Sequence, residues 1–115
     1  MKVIIAGSRT FNDYNRLCKW CDIYLQNTKD IEVVCGMAKG ADLLGKKYAE
    51  EKGYEIKEFP ADWDLFGKKA GHIRNAKMAN YADTLIAFWD SKSTGTLNMI
   101  GIADLIGLKI KIIKY

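Results

Sequence analysis

The stretch that most constrains this chain is Asp83–Thr96, DTLIAFWDSKSTGT. Within it, Thr84–Trp89 is a short apolar run with β-branched and aromatic residues, long enough for a buried strand and too short for a helix. The run breaks into Asp90-Ser91-Lys92-Ser93-Thr94-Gly95-Thr96, which holds hydroxyls, one cation and one glycine, and an apolar stretch of helical length follows. In a strand, small-residue turn and helix of this kind, backbone N–H groups and a helix N-terminus face outward together. That geometry suits phosphate or another anion.

The layout recurs along the chain. Lys2–Ala6 reads as a buried strand ending in the turn Gly7-Ser8-Arg9-Thr10. Asp13 is placed to cap a helix whose apolar positions Tyr14, Leu17, Cys18, Cys21, Tyr24 and Leu25 follow the 3.6-residue period. Ile31–Cys35 is a second strand, running into Gly36-Met37-Ala38-Lys39-Gly40-Ala41-Asp42 and a helix with Ala41, Leu44, Gly45, Tyr48 and Ala49 on one face. Gly53 ends that helix. Tyr54–Phe59 is a more polar strand expected at an edge, Pro60–Ala70 an irregular segment, and His72–Tyr81 a third helix. Leu97–Ile106 is the last helix and Lys109–Ile113 the last strand. Strands alternating with helices predict an α/β, Rossmann-like, doubly wound and mainly parallel five-stranded sheet with helices on both faces. In such sheets ligands bind beyond the carboxyl ends of the strands. Each special turn here follows a strand, so all of them are expected at that one edge.

Composition narrows the classes. With 115 residues, 49% hydrophobic and 28% charged, the chain reads as one globular domain spanning 1–115, not a disordered segment. The formal charge of +4 favours anionic ligands but gives little support for nucleic acid. No apolar run approaches the roughly 18–20 residues needed to cross a bilayer, and MKVIIAGSRT has only about five apolar residues against the roughly 7–15 of a secretory core. Three cysteines without framework spacing point to a reducing cytoplasm. The last helix is apolar nearly all round, broken only by Asn98 and Asp104, which predicts a partner subunit as cover and hence a homo-oligomer.

Gly7-Ser8-Arg9-Thr10 offers a closely approachable backbone, two hydroxyls and a guanidinium suited to bidentate contacts. Gly36, Lys39, Gly40 and Asp42 form a second candidate turn, with the acid placed to favour the helix N-terminus. Neither matches the dinucleotide fingerprint GxGxxG or the P-loop GxxxxGK[ST], which disfavours a standard Rossmann dehydrogenase or NTPase. Pro60–Asn75, PADWDLFGKKAGHIRN, combines Trp63 and Phe66 for stacking, the cations Lys68, Lys69 and Arg74, and the acids Asp62 and Asp64. His72 is the sole histidine, so neither a His-based triad nor a polyhistidine metal site can form. Cys18 and Cys21 have redox spacing but fall in mid-helix, on its apolar stripe. Asp13, Asp42, Asp62 and Asp90 make no obvious carboxylate pair, and no metal or cofactor is called for.

Taken together, GSRTF, GMAKGAD, PADW…GKKAGHIRNAKM and FWDSKSTGT resemble the SLOG superfamily, named for the Smf proteins and the Lonely-Guy phosphoribohydrolases, and within it the small YspA-type branch. The resemblance implies a Rossmann-like fold that binds nucleotides or nucleotide-derived molecules such as ADP-ribose relatives. His72, Arg74, Asn75 and Met78 echo the Lonely-Guy pattern His-x-Arg-Lys-x-x-Met, with Asn in place of Lys. Gly95 and Thr96 echo its Gly-Gly-x-Gly-Thr-x-x-Glu loop, but Leu97, Asn98 and Met99 follow and the glutamate is missing.

These readings lead to a sensor or sequestering module for a nucleotide-derived ligand. Its phosphates are expected on Gly7–Thr10 and Ser93–Thr96, held by Arg9, Arg74 and Lys68, with Trp63 or Phe66 on the base. The alternative is a nucleoside monophosphate phosphoribohydrolase in which Arg74 orients phosphate and Asp90 or Asp62 assists cleavage. Single-stranded DNA binding, as in the Smf branch, is the least favoured.

Overall fold

The computed structural model describes residues 1–115. Five strands, β1 (Lys2–Gly7), β2 (Glu32–Cys35), β3 (Glu55–Glu58), β4 (Thr84–Trp89) and β5 (Lys109–Lys114), form one sheet in the order β3-β2-β1-β4-β5. Every pairing is parallel. The helices are α1 (Tyr14–Leu25), α2 (Ala41–Lys52), α3 (Trp63–Phe66), α4 (Ala70–Tyr81) and α5 (Thr94–Ile106). The chain first winds outward through β2 and β3, then returns to place β4 beside β1 and continues outward on the other side to β5.

The central strands are the apolar runs. Val3, Ile4, Ile5, Leu85, Ile86, Ala87 and Phe88 are all fully buried, as strands covered on both faces must be. Because side chains alternate, Val3, Ile5, Val33, Ile86 and Phe88 pack on one face against Leu17, Cys21 and Leu25 of α1 and Tyr48 and Ala49 of α2. Ile4, Ala6, Val34, Leu85 and Ala87 pack on the other against Met78 and Ala79 of α4 and Met99 and Ala103 of α5. Asp13 caps α1 by accepting from the Arg16 amide at 3.0 Å, and Gly53 closes α2 in the left-handed conformation at φ +75°.

Two sequence expectations are corrected. Pro60–Ala70 is not irregular throughout: Asp62 caps the single-turn α3 by accepting from Leu65 N at 3.0 Å, and a 3-10 turn, Gly67–Lys69, leads into α4. A helix of one turn has no periodicity to betray it. α5 begins three residues before Leu97, because Ser93 caps it and so makes Thr94-Gly95-Thr96 its first turn. The exposed Leu97, Leu105 and Ile106 leave one face of α5 uncovered by its own chain.

α2 lies close to the sheet at Gly45, where an added Cβ would meet Ile5 Cγ2 at 2.6 Å and Ile5 Cβ at 2.8 Å. Ile5 is a stiff, fully buried residue of a central strand and cannot yield. Gly45→Ala therefore loses stability despite alanine's better helix propensity: overpacking costs about 1–3 kcal/mol against a gain of about 1. Urea unfolding is expected to show a net loss of up to about 2 kcal/mol.

Candidate functional site

Strand order reverses between β1 and β4, and the segments leaving these two strands turn to opposite faces of the sheet. A crevice of about 520 Å³ opens at this point, within the usual range for small-molecule sites.

Ser8 fixes its floor. The Ser8 amide donates to Phe88 O at 2.9 Å, its carbonyl accepts from Phe11 N at 3.1 Å and Ala41 N at 3.4 Å, and its Oγ accepts from Asp90 N at 3.2 Å. One residue thus ties together the turns after β1 and β4 and the start of α2. Gly40 permits the third contact: at φ +81° its missing Cβ would fall 2.4 Å from Ser8 O and 2.6 Å from Arg9 O.

The turn after β4 is stapled from within. Asp90 Oδ1 accepts the amides of Lys92 at 2.8 Å and Ser93 at 2.7 Å, and Trp89 Nε1 donates to Ser93 O at 3.0 Å. The Ser93 and Lys92 amides hold the Asp90 carboxyl below its ordinary range. Ser93 Oγ accepts from Thr96 N at 3.3 Å and lies 3.0 Å from Thr96 Oγ1. The Thr94 and Gly95 amides, first in α5, find no acceptor in the chain, and both residues line the crevice. They leave the positive end of a helix open to an anion.

Across the opening, the first turns of α4 supply Arg74. Its Nη1 donates to Gly36 O and its Nε to Asn75 Oδ1 at 2.9 Å. Burial pulls the Arg74 pKa below the ordinary arginine value, with Asp42 opposing that shift and Arg9 adding to it. Asp42, only 5% exposed, accepts from Ala38 N at 3.3 Å. Burial drives its carboxyl up to about 6, against the pull of Arg74, the amides of Ala38 and Gly7, and Arg9. The two charges meet at Gly36, where a Cβ would stand 2.7 Å from Asp42 Oδ2 and 3.0 Å from Arg74 Nη1. The chain's two salt bridges, Lys46–Glu58 and Lys52–Asp22, lie elsewhere, so every charge in the crevice lacks a direct ionic partner.

Of the residues singled out in the sequence, Gly7, Ser8, Arg9, Thr10, Asp42, Trp63, Lys68, His72, Arg74, Asn75, Asp90, Ser93, Thr94, Gly95 and Thr96 line this crevice. Gly36, Lys39, Gly40 and Asp62 do not. Gly36 and Gly40 are packing positions behind it, Lys39 is exposed, and Asp62 faces an adjoining groove with Phe66. Asn75 is present but committed: its Nδ2 donates to Asn98 Oδ1 at 2.9 Å and Gly95 O at 3.3 Å, joining α4 to α5. Trp63 stands at the rim over Gly71, with about half of its surface (51%) exposed. Lys92, Met78 and Met99 also line the crevice. Lys92 lies within the turn the sequence marks and Met78 within the echoed His-x-Arg-Lys-x-x-Met pattern, whereas Met99 looks in sequence like ordinary core. No group of three or more His, Cys, Asp or Glu residues is placed to hold a metal ion, and no helix is long and apolar enough to cross a membrane.

The sheet order and the polar crevice at its reversal define an open, doubly wound, Rossmann-like α/β protein. The family model for the YspA, cpYpsA-related SLOG family matches residues 1–66, and the chain belongs to that family. Gene 61 protein of Mycobacterium phage D29 is 32% identical over 118 aligned residues, covering 95% of this chain and 93% of that protein. The structure of DNA processing protein A (DprA) from Streptococcus pneumoniae superposes with a TM-score of 0.76 at 20% identity. The alignment covers 99% of this chain but 50% of that one, so the present chain spans half its length and shares its fold.

The raised carboxyl of Asp42 has a measurable consequence. The folded protein binds this proton more tightly than the unfolded chain, so Asp42's contribution to stability is fully present below about pH 4 and is lost as pH rises through about 6. Asp42→Asn, neutral throughout, should exceed the parent's stability at pH 7.5 by on the order of 2 kcal/mol, and the difference should vanish near pH 4. Urea melts at the two pH values measure it.

Proposed function

We propose that this protein binds a nucleotide-derived small molecule and serves in the cytoplasm as a sensor or sequestering protein. The observation that carries this reading is the convergence of turns from three strands, with Arg9, Lys68, Arg74, Lys92 and two free helix amides, on one crevice. Phosphate is assigned to the Gly7–Thr10 and Ser93–Thr96 turns and the base to Trp63 at the rim. Family membership agrees with a nucleotide-related ligand.

The hydrolytic alternative has two observations in its favour: Asp90 and Asp42 share the crevice with Arg74, and burial raises the Asp42 carboxyl to about 6, where an acid can act as proton donor. Cleavage of a glycosidic bond needs a carboxylic acid to protonate the leaving group or a carboxylate to support the oxocarbenium-like state. Asp90 is held ionised by its amide donors and has one oxygen committed to them, which suits neither a proton donor nor a mobile base. Binding to single-stranded DNA draws only on a shared fold with a DNA processing protein and on a charge of +4.

Isothermal titration with AMP, ADP-ribose, NAD and cyclic AMP is expected to give heat with at least one of them, and chromatography to recover that compound intact. Arg9→Ala, at an exposed position, should weaken binding by about 1.5–3 kcal/mol, the range for a charged hydrogen bond. Release of free base would favour the hydrolytic reading, and a steep loss of oligonucleotide affinity with salt the DNA one.

A second copy of the chain is assigned to the exposed face of α5. Leu97, Gly101 and Leu105 fall at i, i+4 and i+8 with Gly101 central and open, so a two-fold axis there sets each leucine against its partner's. Light scattering should find a dimer, and Leu105→Glu a monomer of unchanged fold.

A further inference from the structure

We infer that Asp42 is the specificity-determining group of the crevice, reading the sugar hydroxyls of a phosphorylated ligand, so that the ligand class is a ribose phosphate with free vicinal hydroxyls. The inference rests on the nucleotide-binding reading of this site and adds to it which part of the molecule is recognised.

The geometry is unusual for a buried acid. Asp42 is 5% exposed yet lines the cavity, it is in no salt bridge, and its carboxyl is met only by the backbone amides of Ala38, long at 3.3 Å, and Gly7. An ionised carboxylate has about four acceptor positions, and backbone amides here fill a minority of them. The other buried polar side chains of the crevice are used internally: Ser8 by Asp90, Thr96 by Ser93, and Asn75 by Arg74, Asn98 and Gly95. Asp42 is therefore the deep group with acceptor capacity left for a ligand.

The place of the donor on that ligand follows from the neighbours. The free α5 amides and Arg9 mark the anionic end, and Trp63 marks the aromatic end at the rim. Asp42 belongs to the floor of the same crevice, and in a nucleotide the sugar joins phosphate to base. The charged and titratable groups that act on Asp42 are Arg74 from α4, Arg9 from the turn after β1, and Cys35 at the end of β2. The Arg74 guanidinium is itself bonded to Gly36 O and Asn75 Oδ1, so it neither pairs with Asp42 nor blocks it. A hydroxyl donated to the ionised carboxylate stabilises a charge that burial disfavours, so binding favours the deprotonated form.

Calorimetry with AMP, 2′,3′-dideoxy-AMP and inorganic phosphate, on the parent and on Asp42→Asn, tests this. The parent should bind AMP roughly 10- to 100-fold more tightly than the dideoxy compound. Asp42→Asn should reduce that ratio several-fold without weakening affinity for the dideoxy compound or phosphate. For ADP-ribose, whose phosphates do not ionise near pH 6, the ratio of parent to variant affinity should fall from pH 7.5 to pH 5, His72 of the same crevice being common to both proteins. Equal binding of AMP and its dideoxy form by the parent, the same ratio in the variant, or a parent-to-variant ratio for ADP-ribose that rises at low pH would each overturn the inference and leave the nucleotide reading standing. No binding of any of these compounds to the parent would overturn both.

Discussion

The parallel pairing of β1 with β4 is the constraint on which the rest depends. Gly7 stands opposite Phe88, so the two strands end level and their turns leave together toward opposite faces. Ser8 then converts a juxtaposition into a fixed floor, since its amide, carbonyl and hydroxyl engage the ends of β4 and α2 and the next turn of its own segment. The hydroxyl contact joins residues 82 apart in the chain. Without it, the Asp90–Ser93 staple and the open amides of α5 would have no defined position relative to Arg9.

Charge in the crevice is arranged at the expense of stability. Arg74 loses solvation and its pKa falls, Asp42 loses solvation and its pKa rises, and the single backbone position between them is a glycine. Buried polar groups are normally satisfied inside the fold. Four of the five buried polar or charged residues, Ser8, Asp42, Asn75 and Thr96, fall in this crevice, and three of them are spent holding it together. The exception is Thr84, whose Oγ1 lacks a partner at the start of β4, at the opposite edge from the crevice.

The sequence made the fold legible because its buried strands are uninterrupted apolar runs and its turns are small and polar. The same alternation made the assembly of the crevice legible, since every marked turn follows a strand of a parallel sheet. What it did not convey depends on side-chain geometry. Gly36 and Gly40 look like ligand-facing glycines, yet their missing Cβ atoms make room for Arg74, Asp42 and the Ser8–Arg9 carbonyls. Asn75, standing where a lysine occurs in the related pattern, bridges two helices. Trp63 and Phe66 are three residues apart, but only Trp63 lines the crevice, and Phe66 lies in the adjoining groove with Asp62. Asp42 looks like a helix-start acid, and only its burial distinguishes it.

The separation of β1 and β4 along the chain also bears on how the molecule comes into being. The Lys2 amide donates to an Asp83 carboxylate oxygen at 2.8 Å, between residues 81 apart in the chain. Topologies dominated by such distant pairings fold slowly, because chain entropy is lost before the contacts form. The crevice therefore forms only after the distant pairing of β1 with β4. A nascent chain lacking its last third carries β1 with one edge bare.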